Sequence, residues 1–319
     1  MDRRDTVLAL CAFGAAPIAV QAQPAGKMFR VGLLGAAVPE LMRQGLREMG
    51  YVEGQNLILE WRDAAGKTER FDAIAAEFVR LNVDVVVATN PAATLAAKRA
   101  TTSIPIVMVN TPDPVQLGLV ASLARPGGNI TGTSTLTVDL SIKQLELLRV
   151  AVPQAVRIAV LWNPGNPWHS FALKGLESPA RSLAVQLQFM GVRSVEEFDS
   201  AFAAMAAKQA EAVLVLADPL TLFHRSLLVD LAAKRRLPAM YAVRQFVDDG
   251  GLMSYWANQA ELYRRVASYV DRILKGAKPG DLPIELPSRF ELVINLKTAK
   301  LLGLTIPRSL LERADEVIQ

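Results

Sequence analysis

From residue 28 onward, short apolar runs alternate with longer stretches of helical periodicity. In the first half the runs are residues 29–34, 57–61, 83–88, 104–109 and 130–133. Val83-Asp84-Val85-Val86-Val87-Ala88 is almost continuously apolar and rich in β-branched residues, as a parallel strand covered by helices on both faces requires. Amphipathic segments at 39–49, 69–81 and 92–100 fill the gaps. The second half repeats the rhythm, with strands at 157–162, 186–190, 212–217, 237–242 and 252–255 and helices near 171–184, 195–208 and 222–234. A further helix at 261–275 is followed by a Pro/Gly-rich connector at 278–287, a strand at 292–296 and a short helix at 297–302. Strand starts recur about every 25 residues, the length of a β-α unit, so the pattern predicts an α/β protein of two doubly wound parallel-sheet lobes. A connector that late, with no domain behind it, implies that the chain crosses between the lobes more than once.

Open α/β sheets take ligands at the carboxyl ends of their strands. There the chain places Thr89-Asn90-Pro91-Ala92-Ala93, in which Asn90 is a good N-cap, Pro91 suits the first helical position, and Ala92 and Ala93 leave the backbone approachable. The free N–H groups of such a helix start suit an anion, although the same residues also simply begin a helix. Asn110 and Asp113 follow the fourth strand, Thr133 and Ser134 the fifth, and Asn163, Asp218 and Tyr241 occupy equivalent ends in the second half. Together they form two polar rims. Trp162, Trp168 and Trp256 also fall at or just after strand ends, near Tyr241 and Tyr255, placed either to stack on a flat ligand or to pack the core.

Charge and composition narrow the class. The 319 residues carry 35 basic and 31 acidic side chains, a net charge of +4, and the basic residues are dispersed. Nucleic-acid binding needs a continuous basic stripe and is excluded as a reading. Residues 1–22 have Arg3 and Arg4, an apolar stretch from Thr6 to Val20 and a Val20-Gln21-Ala22 cleavage pattern, which reads as an export signal. About 15 apolar residues are too few to span a bilayer. Cleavage after Ala22 removes Cys11, the single cysteine, so the mature chain is expected to have no disulfide and no thiolate chemistry.

Catalytic machinery is missing from the sequence. Neither His169 nor His224 has metal-ligand spacing, and no Gly-x-Ser-x-Gly elbow, Walker loop or Gly-x-Gly-x-x-Gly occurs. The expectation is a protein without cofactor or metal that is not an enzyme.

Several ordered stretches resemble a known family. They are GLREMGYVEGQN at 45–56, residues 93–101 with IPIV at 104–107, DPV at 113–115, GLVASLARPGGN at 118–129 with ITG at 130–132, VLWNP at 160–164, GGLMSY at 250–255, and the tail at 290–317. The chain is similar to bacterial ABC transporter substrate-binding proteins of the type whose characterised members bind tryptophan or tyrosine. That resemblance implies a type I periplasmic binding protein with a ligand cleft between the lobes. Its lobes would comprise 28–138 plus about 256–284, and 139–255 plus about 285–319. By position, the cleft would be lined by Gly35, Ala36, Thr89, Asn90, Ala92, Ala93, Asn110, Thr133, Ser134, Asn163, Asp218, Tyr241 and Tyr255. The chain departs from relatives in a short loop after the first strand, in Asn90 where a small residue is common, and in Trp256 where glycine is common. The implied function is periplasmic capture of a small carboxylate-bearing ligand, an amino acid or aromatic acid. A monomer would close its lobes on the ligand and deliver it to an inner-membrane ABC permease. A sensor serving a receptor kinase, or an exported α/β enzyme, are the alternatives.

Overall fold

The computed structural model describes residues 27–35, 39–135 and 137–319; the predicted export signal and Ala36 lie outside them. The chain begins with β1 (Phe29–Leu34), α1 (Pro39–Glu48), β2 (Leu57–Arg62), α2 (Phe71–Arg80), β3 (Val85–Ala88), α3 (Pro91–Ala100), β4 (Ile106–Pro112) and β5 (Ile130–Thr135). These strands form one parallel sheet in the order β2-β1-β3-β4-β5. All four residues of β3 are buried, because helices cover both faces of its sheet.

The chain then builds a second layer stack from α4 (Thr137–Ala151), β6 (Arg157–Trp162), α5 (Pro167–Ser182), β7 (Gln186–Gly191), α6 (Phe198–Ala207), β8 (Ala212–Val215), α7 (Pro219–Phe223), α8 (Arg225–Lys234), β9 (Ala239–Tyr241), α9 (Gln245–Asp248) and β10 (Met253–Ala257). Next, α10 (Gln259–Leu274) crosses back to the first sheet. The chain returns through β11 (Phe290–Asn295), α11 (Leu296–Leu301), α12 (Arg308–Leu311) and β12 (Glu316–Ile318), completing a seven-stranded sheet ordered β12-β11-β10-β9-β8-β6-β7.

The return of α10 is encoded in its apolar stripe. Leu262, Tyr263, Val266, Ala267 and Val270 pack with Val31, Val87 and Val107 of the first sheet and with Met42 and Leu46 of α1. A side chain on Gly45 would place its Cβ 2.9 Å from that of Ala267, so glycine is what allows α1 and α10 to lie this close. The last crossing segment also pairs with the first lobe: Ser134 N–H donates to Glu285 O at 2.9 Å, and Glu285 N–H donates to Gly132 O at 3.2 Å.

Besides the short α9, α12 and β12, two larger features were not predicted by the pattern. Helix α4 follows a Thr-rich, β-branched run, and Leu145, Leu147, Leu148 and Ala151 are all buried, so neither its start nor one apolar stripe stands out in the sequence. Strand β11 runs antiparallel to β10, whereas repeating β-α units predict parallel neighbours. The long excursion through α10 brings the chain back from the opposite end.

Candidate functional site

The carboxyl ends of both sheets face one another across a cavity of about 190 Å³. Three of the turns that line it repeat one local solution: Asn90-Pro91 before α3, Asn166-Pro167 before α5 and Asp218-Pro219 before α7. In each, the Asx side chain accepts a backbone N–H of the first turn and proline occupies the start, where its missing N–H costs nothing. The bonds are Ala93 N–H to Asn90 Oδ1 at 2.9 Å, Trp168 N–H to Asn166 Oδ1 at 3.1 Å, and Leu220 N–H to Asp218 Oδ1 at 2.9 Å.

The first lobe's wall is neutral. Asn90 caps α3, and its backbone carbonyl accepts the Thr94 hydroxyl, which itself contacts the Thr111 hydroxyl at 3.2 Å. Ala92 stands second in the helix, where a backbone N–H has no acceptor within the helix. Asn110 adopts a left-handed φ of 48°, and the β4–β5 register shifts between Met108 and Thr111. Such a bulge turns a side chain out of the sheet and into the wall. Gly132 permits it: with φ 128°, any Cβ there would fall 2.1 Å from Met108 O. The amide Nδ2 of Asn90 and Oδ1 of Asn110 are both buried and have no hydrogen-bond partner among the described residues.

In contrast, the second lobe's wall is a closed network around one charge. Asp218, 6% exposed, accepts Leu220 N–H and Asn163 Nδ2 on Oδ1 (2.9 and 3.1 Å) and Asn166 Nδ2 on Oδ2 (2.9 Å). His169, itself part of the lining, joins the two loops: its Nδ1 accepts Asn163 N–H at 2.8 Å, so the proton sits on Nε2, 3.1 Å from Ala217 O. Burial holds its pKa below the ordinary histidine value, against the charge of Asp218. Trp168, Phe246, Trp256 and Tyr263 add aromatic surface, and among the described residues no lysine or arginine lines the cavity.

A model of the ABC transporter substrate binding protein family matches residues 37–318. The chain belongs to that family. It is 28% identical over 262 residues to the tyrosine-binding protein of Clostridioides difficile (strain R20291), covering 82% of this chain and 75% of the relative. Among solved structures, it superimposes on a conserved domain protein from Vibrio cholerae O1 biovar El Tor with a TM-score of 0.83 and 30% identity, covering 91% of this chain and 100% of that one. An ABC domain from Streptococcus pneumoniae in complex with L-Trp gives a TM-score of 0.82 at 27% identity, covering 92% and 100%. The fold is that of a type I periplasmic binding protein.

Within this family frame the residues expected from sequence separate into two groups. Thr89, Asn90, Ala92, Asn110, Asn163 and Asp218 line the cavity together. Others stand behind the lining. Gly35 lies under the wall, since a Cβ there would be 2.4 Å from Thr89 Oγ1 and 2.9 Å from Asn90 Nδ2. Ala93 is buried beneath Asn90. Thr133 accepts Asn110 N–H on its hydroxyl at 3.0 Å, and Ser134 is buried beside the Glu285 crossing. Tyr241, 1% exposed, stacks on Phe246 at 4.5 Å, and Tyr255 stacks on Phe290 at 5.8 Å, so both rings are spent on packing. Strand alternation explains these two: a residue at a strand's end still points toward one of the covered faces. Ala36 lies outside the described residues. Trp168 and Trp256 reach the lining, whereas Trp162 does not. Asn166 and His169 were not anticipated, although Asn166-Pro167 carries the same Asx-Pro signal as Asn90-Pro91.

Proposed function

We propose that this protein is the solute-capturing component of an ABC importer and that its ligand is a zwitterionic amino acid with an aromatic side chain. One observation carries the reading: Asp218 is a buried carboxylate, and among the described residues no lysine or arginine lines the cavity. A carboxylate offers about four lone-pair sites, and three donors occupy Asp218, which leaves one for a ligand ammonium. An unpaired buried charge is costly, so a cationic group brought by the ligand is strongly favoured there. Across the cavity, the start of α3 presents the Ala92 N–H and a positive helix end, suited to the ligand's carboxylate.

Size and surface agree with this ligand class. About 190 Å³ is below the roughly 300–1,000 Å³ of drug-sized sites, and Trp168, Phe246 and Trp256 give a ring an apolar bed. The tyrosine-binding relative and the L-Trp complex support the same class. Micromolar affinity asks for only about 8 kcal/mol, within reach of two charge-assisted ends and one buried ring. Lobe closure would join the two walls, and the closed form is what a permease would recognise after export to the periplasm. Among the described residues no helix is long and apolar enough to cross a membrane. Delivery, monomeric state and absence of catalysis complete the reading.

Titration calorimetry with L-tyrosine and L-tryptophan tests it. Binding of either at micromolar Kd is the expected outcome; no heat from any amino acid, with tight binding of a solute that lacks an amine, would refute it.

A further inference from the structure

His169 is 2% exposed in the first turn of α5, and both of its ring nitrogens are used within the protein. One nitrogen holds the loop that ends β6 and the other the loop that ends β8. Asn163 and Asp218, the side chains those loops present, meet each other at 3.1 Å. We propose that His169 is a positioning residue of the ligand site: its neutral Nε2–H ring fixes Asn163 and Asp218 in register, and protonation of Nδ1 loosens both and weakens ligand binding.

Donors and acceptors around the ring decide its protonation state. Nδ1 accepts the Asn163 N–H at 2.8 Å, and an imidazolium carries N–H on both nitrogens. Protonation would therefore set two donors against each other in a buried position, with no acceptor between them. The charged group acting on the ring is Asp218, from the turn between β8 and α7; the β6 loop contributes the neutral amides of Asn163 and Asn166. Burial outweighs that negative charge and keeps the ring neutral. A ligand ammonium at Asp218 would cancel part of the charge that favours protonation, so binding and the neutral ring reinforce one another. His224, whose pKa burial also lowers, faces Glu196 and packs on Phe198 and Phe223, outside the cavity lining.

The test has two arms. In the ligand-free protein, 15N NMR of the imidazoles should show His169 as the Nε2–H tautomer with a pKa below the ordinary value of about 6.5. The Asn163 amide resonance should titrate with the same midpoint. A His169 that titrates at or above that value, or an Asn163 amide that ignores it, overturns the proposal. This arm needs no ligand, so it stands even if the amino-acid reading on which the second arm rests is wrong. In that second arm, Kd for L-tyrosine and L-tryptophan is followed from pH 7.5 down to 5.0. Wild-type Kd should rise by up to about tenfold per pH unit below the ring's pKa. In His169→Asn, an amide oxygen keeps the acceptor for Asn163 N–H. That variant should bind about three- to tenfold more weakly at pH 7.5, with the histidine-linked pH dependence gone. His224→Gln should keep the wild-type slope. Equal pH profiles for wild type and His169→Asn would contradict the proposal.

Discussion

The two walls of the cavity are built to opposite rules. The first lobe offers neutral, under-used dipoles: the amide ends of Asn90 and Asn110 and the N–H of Ala92. The second lobe offers one fixed charge whose neighbours are already hydrogen-bonded to it or to each other. Placing a charge in a prepared network avoids reorganising it when ligand arrives, whereas helix-end dipoles need no support beyond the helix itself. In the proposed function this contrast is the reason for directing the ligand's cationic end to the second lobe and its anionic end to the first.

Perturbing the charged wall should have the largest effect. Asp218→Asn keeps a side-chain oxygen to cap α7 while removing the charge, and affinity for an amino acid should fall by about 2–5 kcal/mol, read by calorimetry. On the neutral wall, Asn90→Ala deletes the α3 cap and a wall amide. About 1 kcal/mol of stability and about tenfold in affinity should be lost, measured by denaturant unfolding and titration.

Acid should weaken the second lobe through His169. Its folded pKa is depressed, so the unfolded chain binds the proton more readily. Stability is then complete above about pH 6.5 and is lost as pH falls from there toward the folded pKa. Denaturant midpoints between pH 7.5 and 5.0 should show that loss in wild type and much less of it in His169→Asn. A smaller effect is expected from Thr133→Val, which removes the acceptor for Asn110 N–H: about 1 kcal/mol of stability or binding, largely restored in Thr133→Ser. Least of all, Tyr241→Phe should leave Kd within about twofold, because that ring faces Phe246.

Much of this arrangement is written locally. The apolar runs place the strands, and position after a strand end, joined at Asn90 by an Asn-Pro helix start, is what singles out Asn90 and Asp218 in the sequence. What a single stretch cannot show is which side of a covered strand its last residue faces. Tyr241 and Tyr255 therefore look like ligand contacts in the sequence and turn out to be packing. Thr133 is a related case, since its hydroxyl serves the site only through a bulge in the neighbouring strand. His169 is illegible for a different reason: its two partners lie 6 and 48 residues away along the chain, in separate loops, and nothing in either loop names a histidine. Helix α4 is hidden by burial on more than one side, which erases the stripe that would reveal it.

In the proposed binding mode the ligand's ammonium rests on Asp218 while its carboxylate faces α3. Calorimetry of L-tyrosine and its des-amino analogue, 3-(4-hydroxyphenyl)propionate, on wild type and Asp218→Asn distinguishes this mode from others. Losing the amine should cost wild type at least about 2 kcal/mol, and the cost should largely vanish in Asp218→Asn. An equal cost in both proteins would contradict it.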